Sequence, residues 1–474
     1  MSAGLRTFAI VALGLSCALG LGSVRMARAD EAEELRALRQ EVADERAALA
    51  QERAELADQR RRIDDVLANV DAARAGQAAP QAASHAALPA VDAGAQKSGG
   101  SRLEISGFAM LDAIYDADRV DPLWKSTLRP SKIPVNCPGG GANDPGCGHD
   151  GETVLSVKQS RLGFRGFTPT PLGELRTIFE FELYGTGGDA GKTTFRIRHA
   201  WGELGSLGAG QTWSLFMDPD VFPDTIDYWG PVGMVFVRNP QLRWTAYQQE
   251  NFKLALALEA PASALDEGKA AGVDPTLSAS EWNKYPDFTG QARWMGDWGH
   301  AQLAGIARWP GFENSTSANF KPDGRKFGWG LNASGGIKTV GDDKLLLQLA
   351  YGEGIASYMN DGGVDLAPNT AVDSAEPVPT LGWLVYYNRV WGPQWTSSLG
   401  YSQHHQDTEG GQLGNAFETG EYANVNVIYH PLSNLLLGPE FVWGRRENRD
   451  GSAGTDRRFQ FSVKYNFGAT IRGD

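Results

Sequence analysis

The sequence predicts an all-β protein, a 16-stranded antiparallel transmembrane β-barrel preceded by an N-terminal α-helical coiled coil. Two observations predict the barrel. Apolar and polar residues alternate through most of the chain, and the connections between these strand-like stretches run alternately long and short. A third observation, an apolar residue repeated every seven positions near the N-terminus, predicts the coiled coil.

Residues 1–29 have the organisation of a secretory signal peptide. Arg6 precedes an apolar run at Phe8–Leu21, and the small-residue motif "ARA" follows at 27–29. The alternative, a membrane anchor, needs about 20 apolar residues, and this run is shorter. The mature chain is therefore expected to begin at Asp30.

The acidic composition limits the partners of the mature chain. Removal of residues 1–29 takes away three arginines and no acid, which changes the formal charge from −13 to −16. A nucleic-acid partner would require a basic face, so none is expected. The histidines and cysteines form no pattern typical of a metal site, and we expect neither a metal nor another cofactor.

Residues 30–75 contain neither glycine nor proline and repeat an apolar residue every seven positions. This heptad predicts a periplasmic coiled-coil stalk, although charged residues at its second core position make the coil weak on its own. A single solvated helix is the alternative. Residues 76–100, rich in Ala, Gln, Pro, Ser and Gly, predict a flexible linker to a barrel domain at 101–474. The repeated residues are Leu35, Val42, Leu49, Leu56, Ile63 and Val70.

Within residues 101–474, seven short and eight long connections alternate and together join 16 predicted strands. Short turns at one end and long loops at the other are typical of an outer-membrane barrel. The short connections lie at 168–174, 202–206, 247–251, 295–299, 339–344, 391–394 and 429–434. The long connections lie at 117–152, 185–192, 214–233, 261–284, 310–325, 355–379, 403–416 and 446–456.

The segment "TTFRIRHAWGELG" (193–205) predicts which side of the strands faces outward. Strict alternation puts Phe195, Ile197 and Trp201 on one face and Arg196 and Arg198 on the other. A soluble sheet over a core would show the same alternation, but the sorted loops favour a membrane barrel. We therefore expect Phe195 and Ile197 to face lipid or a neighbouring subunit, and the two arginines to face a water-filled lumen.

Two cysteines remain after signal cleavage, Cys137 and Cys147, in the first long connection. An even pair in an exported protein predicts a disulfide. The alternative is a fragment of a metal site, but neither a histidine pair nor a further cysteine completes it.

The connection around 210–244 is too long for a hairpin, and Pro219, Pro223 and Pro231 prevent it from pairing as a strand. Its aromatic side chains need a surface to pack on, so we expect it to fold inward and narrow the pore. The alternative is a loop that lies outside and buries these side chains at a subunit contact. The residues expected at the constriction are Trp213, Asp218, Asp220, Asp224 and Asp227.

Five arginines are expected to line the lumen opposite this loop. Inward arginines in a narrow, low-dielectric passage attract anions, and the planar guanidinium suits carboxylates. The alternative is cross-strand pairing with Glu180 and Glu182, which should also face inward and would neutralise part of the positive charge. The five are Arg161, Arg196, Arg198, Arg243 and, close by, Arg238.

Three stretches resemble the DcaP-like trimeric outer-membrane porins: "SRLGFRGFTPTPLGELRTIFEFELYGTGGDAGKTTFRIRHAWGELG", "GAGQTWSLFMDPDVFPDTIDYWGP" and "MVFVRNPQLRW". The resemblance is densest over 103–245 and continues more loosely to Phe467. It implies a sixteen-stranded barrel, a homotrimer, an N-terminal helical stalk, a third loop inside the pore and uptake of small anions such as dicarboxylates. Arg161, Arg196 and Arg198 match pore-lining positions of the family. The chain departs from the family by continuing seven residues past Phe467, which leaves the position of the assembly signal open.

These patterns and the resemblance predict a protein of the bacterial outer membrane with its stalk in the periplasm. The expected partners are outer-membrane lipid, further copies of the chain and small anionic solutes, and contact between the stalk and the cell wall is left open.

Three functions other than that of an anion-selective porin are alternatives for this sequence. A general diffusion porin with little charge preference follows if the acids cancel the arginines. A tethering or adhesion protein would use the barrel only as an anchor, but here one chain supplies a complete barrel after a short stalk. An enzyme is disfavoured because His404 and His405 have no serine or acid beside them in a catalytic pattern.

Overall fold

The structure, a computed structural model, describes residues 100–137, 147–185, 194–273, 279–314, 324–372 and 374–473. The predicted signal peptide, the coiled-coil stalk and all but the last residue of the linker lie outside these residues. Within the described part of the chain, no helix is long and apolar enough to cross a membrane.

Sixteen antiparallel strands form a closed barrel, as the sequence predicts. The first strand pairs with the last over its whole length, from Arg102 opposite Arg472 to Asp116 opposite Arg458, so the barrel has no free edge. The strands are β1 (Arg102–Asp116), β2 (Glu152–Ser156 and Arg161–Thr170), β3 (Gly173–Glu182), β4 (Arg196–Leu204), β5 (Leu207–Trp213), β6 (Arg238–Gln249), β7 (Phe252–Glu259), β8 (Asp287–Gly296), β9 (Gly299–Arg308), β10 (Gly328–Lys338), β11 (Lys344–Glu353), β12 (Pro379–Gly392), β13 (Trp395–Gln406), β14 (Phe417–Asn426 and Ile428–Leu432), β15 (Leu435–Asn448) and β16 (Ala453–Arg472).

Two strands of the barrel are interrupted. The two segments of β2 pair with successive parts of β1, and those of β14 both pair with β13 and β15, so each counts as one strand. The elements outside the barrel lie in its loops. They are the short helices Pro130–Lys132, Pro219–Val221, Ala270–Val273 and Ala356–Tyr358, and the short strands Ala279–Glu281, Gly311–Asn314, Gly324–Arg325, Leu366–Pro368 and Ala375–Pro377.

The connections are sorted by length between the two ends, which we call the short-turn end and the long-loop end. One prediction is wrong: the last connection, expected as a long loop at 446–456, is a tight turn between Asn448 and Ala453. The charged residues of 446–456 are typical of a loop, but β15 and β16 remain paired up to Glu447 and Ala453. The residues after Phe467 also continue as strand, because β16 pairs with β1 as far as Arg472.

In the first long loop, a disulfide joins Cys137 and Cys147, whose Cα atoms lie 6.0 Å apart. This pairing agrees with the interpretation of the two cysteines as a bridge rather than as metal ligands.

The faces of β4 follow the predicted alternation only as far as Arg198. Phe195 and Ile197 are 76% and 49% exposed on the outer surface, whereas Arg196 and Arg198 bond to inward carboxylates. A β-bulge then shifts the register, because Ile197 pairs with Phe181 but His199 pairs with Glu180.

The bulge moves Trp201 to the inner face, contrary to the strict alternation expected from the sequence. Trp201 is 5% exposed, and the inward Arg243 lies over its ring. His199 also becomes buried, and its Nδ1 lies 3.0 Å from Thr212 Oγ1.

Candidate functional site

The loop between β5 and β6, residues 214–237, packs on the inner wall of the barrel, and we call it the inward loop. Its buried apolar side chains contact inner-face residues of β9, β11 and β12 and of the loop after β11. The aromatic residues are therefore buried inside the barrel rather than on its outer surface. The loop members of this cluster are Phe216, Met217, Val221, Met234 and Val235, and the wall members are Ala304, Ile306, Leu346, Ala350, Ile355, Tyr358, Met359, Leu384 and Tyr386.

Asp218 anchors the first part of the inward loop. Its carboxylate lies 2.8 Å from Arg293 Nη1, from His300 Nε2 and from Ser334 Oγ, which belong to β8, β9 and β10. Burial opposes ionisation, but the His300 hydrogen bond and the Arg293 charge outweigh it and lower the pKa of Asp218. Asp218, Asp220 and His300 are spaced as metal ligands could be, but Arg293 already bonds both carboxylates.

A second anchor holds the loop at Ile226 and Asp227. The Glu440 carboxylate of β15 accepts both backbone N–H groups, at 2.8 Å and 2.7 Å. The Asp227 carboxylate accepts hydrogen bonds from Thr127 Oγ1 at 3.1 Å and from Arg458 Nη1 at 3.2 Å. Burial raises the pKa of Asp227, and the Arg458 charge opposes that effect.

Asp224 is held between these anchors. Asn388 donates to its carboxylate at 3.1 Å, Asn426 donates to its backbone carbonyl at 2.6 Å, and burial raises the pKa of its carboxyl.

The four loop acids are bonded to side chains other than the five arginines expected in the lumen: Asp218 and Asp220 to Arg293, Asp224 to Asn388 and Asp227 to Arg458. The loop lies on a wall rich in polar side chains, and each carboxylate bonds the donors nearest to it on that wall. That these acids and the arginines face each other across the passage stays a prediction.

The arginines instead surround Glu180 and Glu182 of β3. Arg198 donates to Glu180 Oε1 at 2.6 Å and to Glu182 Oε2 at 2.7 Å, and Arg196 Nε donates to Glu182 Oε1 at 2.7 Å. Arg161 lies farther away, with its guanidinium nitrogens 3.6 Å and 3.7 Å from the two carboxylates. The alternative that the lumen arginines pair with these acids thus describes Arg196 and Arg198 well.

Arg238 lies beside this group without a carboxylate partner within ion-pair distance among the described residues. Its guanidinium carbon is 4.7 Å from the Trp213 ring centre and 5.6 Å from that of Phe236. Arg243 stands apart, because it donates to Gln241 at 3.1 Å and to the Trp213 carbonyl. Trp213, expected at the constriction, therefore contacts both arginines.

We define the arginine cluster as Arg161, Arg196, Arg198 and Arg238 together with Glu180 and Glu182. Four guanidinium groups face two carboxylates, which gives the cluster a formal surplus of positive charge. Two of its buried donors, Arg161 Nε and Arg238 Nη1, have no hydrogen-bond partner among the described residues.

Tyr228 of the inward loop closes one side of the arginine cluster and was not identified from the sequence. Its hydroxyl donates to Glu182 and accepts from Arg196, and its ring stacks on Tyr184 with the centroids 3.7 Å apart. The sequence pattern does not distinguish Tyr228 from the other aromatic residues of the loop.

Two cavities meet at Tyr228 and Phe236, which line both of them. The larger one, of about 730 Å³, opens among the long loops, and we call it the vestibule. The smaller one, of about 20 Å³, is lined by Arg161 and Arg198. The basic residues that line the vestibule are Arg129, Lys132, Arg196, Arg238 and Arg446.

Asp361 is the carboxylate of the vestibule lining, and it is already engaged. It accepts from Arg129 Nε at 2.9 Å and from the Ser131 hydroxyl at 2.7 Å. Sequence reasoning missed Arg129, Lys132 and Arg446 because "RPSK" in the first loop and "GRREN" near the end of β15 look like solvated charged segments.

Comparison with known proteins identifies relatives of this barrel. Residues 140–303 match the family model described as DcaP outer membrane protein, so the predicted resemblance is confirmed. The crystal structure of the outer membrane channel DcaP of Acinetobacter baumannii superposes with a TM-score of 0.66 at 24% identity, covering 79% of this chain and all of that one. OmpF of Salmonella typhi, in complex with daunomycin, gives a TM-score of 0.51 at 12% identity, covering 78% of this chain and 98% of that one.

A search of curated proteins gave no match. The family model is described as one of outer membrane proteins, and the similar structure from Acinetobacter baumannii is described as a channel.

Proposed function

We propose that this chain forms an outer-membrane pore that admits small hydrophilic anions, dicarboxylates among them, through the vestibule and past the arginine cluster. The observation that carries the proposal is the surplus of positive charge at this place: four arginines surround two glutamates, and Lys132 and Arg446 add positive charge to the vestibule above, where Asp361 offsets Arg129.

A solute in the pore responds mainly to the charged side chains close to it and not to the net charge of the protein. The mature chain carries a formal charge of −16 once residues 1–29 and their three arginines are removed. Salt screens exposed charges beyond about 8 Å at physiological ionic strength. Inside a narrow passage with low-dielectric walls the fixed charges act more strongly, so nearby guanidinium groups decide which ions enter. A guanidinium also presents paired N–H donors that match a carboxylate.

We infer that residues 1–29 are removed on export, that residues 30–75 form a periplasmic coiled-coil stalk and that residues 76–100 link it to the barrel. Three copies associate through the apolar outer faces of their barrels, and the remaining outer surface contacts lipid. The outward Phe459, Phe461 and Tyr465 of β16, each at least 44% exposed in the single chain, support such burial.

The proposal is tested by the reversal potential across a planar bilayer in a KCl gradient, with purified, mature protein. An anion-selective pore gives a potential of the sign set by chloride, and succinate enters protein-containing liposomes faster than a neutral sugar of similar size. A potential near zero, with equal entry of both solutes, would contradict anion selectivity.

That contrary result would favour the second candidate, a general diffusion pore. The observation in its favour is the pairing of Arg196 and Arg198 with Glu182 and Glu180, which neutralises two of the four arginines. A bilayer that shows no conductance at all would instead favour an anchor or tethering role.

A further inference from the structure

Aromatic side chains form a patch on the outer surface of the barrel, where β8, β9 and β10 reach the long-loop end. The ring of Trp309, directly after β9, lies 6.0 Å from that of Phe288 and 5.4 Å from that of Phe327, measured between centroids. Tyr285 lies 6.2 Å from the same tryptophan. Exposed aromatic rings at the strand ends of a transmembrane barrel are typical of the level of the lipid headgroups. The patch therefore marks this level on the side of the long loops.

Two basic side chains, Lys284 and Arg325, lie beside this aromatic patch. The Lys284 Nζ and the Arg325 guanidinium carbon are each 5.8 Å from the centre of the Tyr285 ring. Arg325 also lies 5.2 Å from the centre of the Trp282 ring, and such a cation–π contact holds the guanidinium at the outer surface. Neither cation has a carboxylate within ion-pair distance among the described residues.

Two acids of the neighbouring loop strands are engaged elsewhere. Glu376 bonds Lys326 at 3.0 Å. Glu281 accepts hydrogen bonds from the Ser263 backbone N–H at 2.8 Å and from the Asn283 amide at 3.1 Å. The positive charges of Lys284 and Arg325 are thus available to a ligand that carries negative charge.

An apolar groove of about 640 Å³, which we call the outer groove, lies on the outer wall directly next to the aromatic patch, and Phe288 belongs to both. Gly290 and Gly305, paired across β8 and β9, leave part of the wall without side chains. The exposed Leu258 of β7 and Leu331 of β10 complete this part of the lining. Because the groove is apolar and extends from the headgroup level along the wall, an acyl chain is a suitable occupant.

This part of the wall lies across the barrel from the face proposed for subunit contact. That face is on β16, which pairs with β1, and β9 is eight strands from β1 in the closed barrel of sixteen. Lipid, rather than a second copy of the chain, is therefore what the aromatic patch and the outer groove meet.

We propose that Lys284, Arg325 and the outer groove form a binding site for a phosphorylated lipid of the outer leaflet. The two cations bind the phosphate, and one acyl chain lies in the outer groove beyond the Phe288 ring. Lysine and arginine bind phosphate through charge-assisted hydrogen bonds, and basic clusters at a membrane surface recognise phosphate-bearing headgroups. The groove favours a lipid over free phosphate, because a free anion would leave it unused. The site does not depend on the ion selectivity of the pore.

The test is native mass spectrometry of the purified, mature protein in detergent, which counts the lipid molecules bound to each chain. Phosphatidate is the probe, and diacylglycerol with the same acyl chains is the probe without phosphate. Phosphatidate should fill one site per chain, and diacylglycerol should bind about tenfold more weakly, as expected for loss of charge-assisted bonds.

Lys284→Gln and Arg325→Gln test the phosphate contacts. Each should raise the apparent Kd for phosphatidate about tenfold and leave that for diacylglycerol unchanged. Arg457→Gln is the matched control, because it removes an exposed arginine near the long-loop end of β16 that is paired with Asp118. It should leave the apparent Kd for both lipids unchanged.

Gly305→Leu tests the outer groove by filling it. A Cβ atom at Gly305 meets Leu331 Cδ2 at 3.7 Å, an ordinary van der Waals contact, so the strand accommodates a side chain there. The variant should weaken phosphatidate binding, and Gly305→Ala, which occupies less of the groove, should weaken it less. Gly392→Leu is the control, since no heavy atom lies within 4 Å of an added Cβ and the residue is outside the groove lining.

Equal binding of the two lipids, with no effect of Lys284→Gln or Arg325→Gln, would overturn the proposal, because the outer wall would then make only ordinary lipid contacts. Unchanged binding in Gly305→Leu, together with displacement of phosphatidate by an equal concentration of inorganic phosphate, would overturn it in favour of a site for the free anion.

Discussion

Arg198 bonds Glu182 across two neighbouring strands, with its Nη1 2.7 Å from the carboxylate Oε2, and both side chains are buried. The same guanidinium holds Glu180 through Nε. This arginine therefore bonds two carboxylates that face the lumen, whereas the neighbouring Arg238 has no described carboxylate within ion-pair distance. The arginines expected from the sequence thus divide into paired and unpaired ones, and the two kinds should respond differently to substitution.

Replacing Arg198 by glutamine should destabilise the barrel, because Glu180 and Glu182 lose a bonded cation inside the wall. Breaking a buried pair by removing one partner costs about 3–5 kcal/mol. Arg238→Gln is the matched variant and should lower the unfolding temperature much less, since no described carboxylate lies within ion-pair distance of it. Thermal unfolding in detergent compares them, and equal losses for the two variants would contradict this division.

Replacing Glu180 by glutamine should strengthen the preference for anions. The Glu180 side chain is 21% exposed and carries one of the two negative charges that offset the four arginines of the cluster. The amide oxygen of the glutamine can still accept a hydrogen bond from Arg198. The reversal potential in a salt gradient should shift further toward that of chloride. A shift toward potassium, or an unchanged potential, would mean that the charge of Glu180 does not act on the passage.

The barrel could be predicted from the sequence because both of its signals are local. The alternation of apolar and polar residues indicates the strands and the face that each turns outward. The lengths of the connections indicate which strand ends lie at the same end of the barrel. The bulge at Arg198 could not be predicted from the sequence, because it depends on how β4 pairs with β3. It places the side chains of Trp201 and His199 on the inner face of the barrel.

The candidate site was less predictable, because its partners are distant in the sequence. The sequence near Asp218 does not indicate that Arg293 and His300 bond it. Those contacts form only when the inward loop packs against the inner wall of the barrel. Likewise, the basic lining of the vestibule joins Lys132 of the first loop with Arg446 of β15.

The disulfide between Cys137 and Cys147 should restrict the first long loop. On the chain-entropy model a ring of this size contributes about 2–3 kcal/mol. Thiol titration of denatured, unreduced protein should find no free cysteine, and reduction should speed proteolysis within the loop without unfolding the barrel. A Cys137→Ser/Cys147→Ser variant should be cleaved as fast as the reduced protein, and detection of free thiols in unreduced protein would refute the bridge.

Deleting residues 30–100 should leave the protein trimeric. Arginines or glutamates share the heptad core with Leu49 and Leu56, so the stalk contributes little to association compared with the apolar barrel wall. Native gels in mild detergent should show trimers for both the full-length mature chain and the deletion. Purely monomeric barrels after deletion would show that the stalk holds the assembly together.

The Asp218 anchor should make the inward loop sensitive to acid. The folded protein lowers the pKa of this carboxyl, mainly because the His300 hydrogen bond and the Arg293 charge outweigh the effect of burial. A lowered pKa means that the anchor contributes its stability above the ordinary value of 3.8 and loses it as the pH falls below that value toward the folded pKa. Asp218→Asn should therefore unfold at a lower temperature than the wild type at neutral pH, and the gap should narrow below pH 3.8. Ser334→Ala is the control: it removes one hydrogen bond but no charge, so its smaller gap should depend less on pH. A gap for Asp218→Asn that stays constant from neutral pH to strong acid would show that the carboxylate charge does not hold the loop.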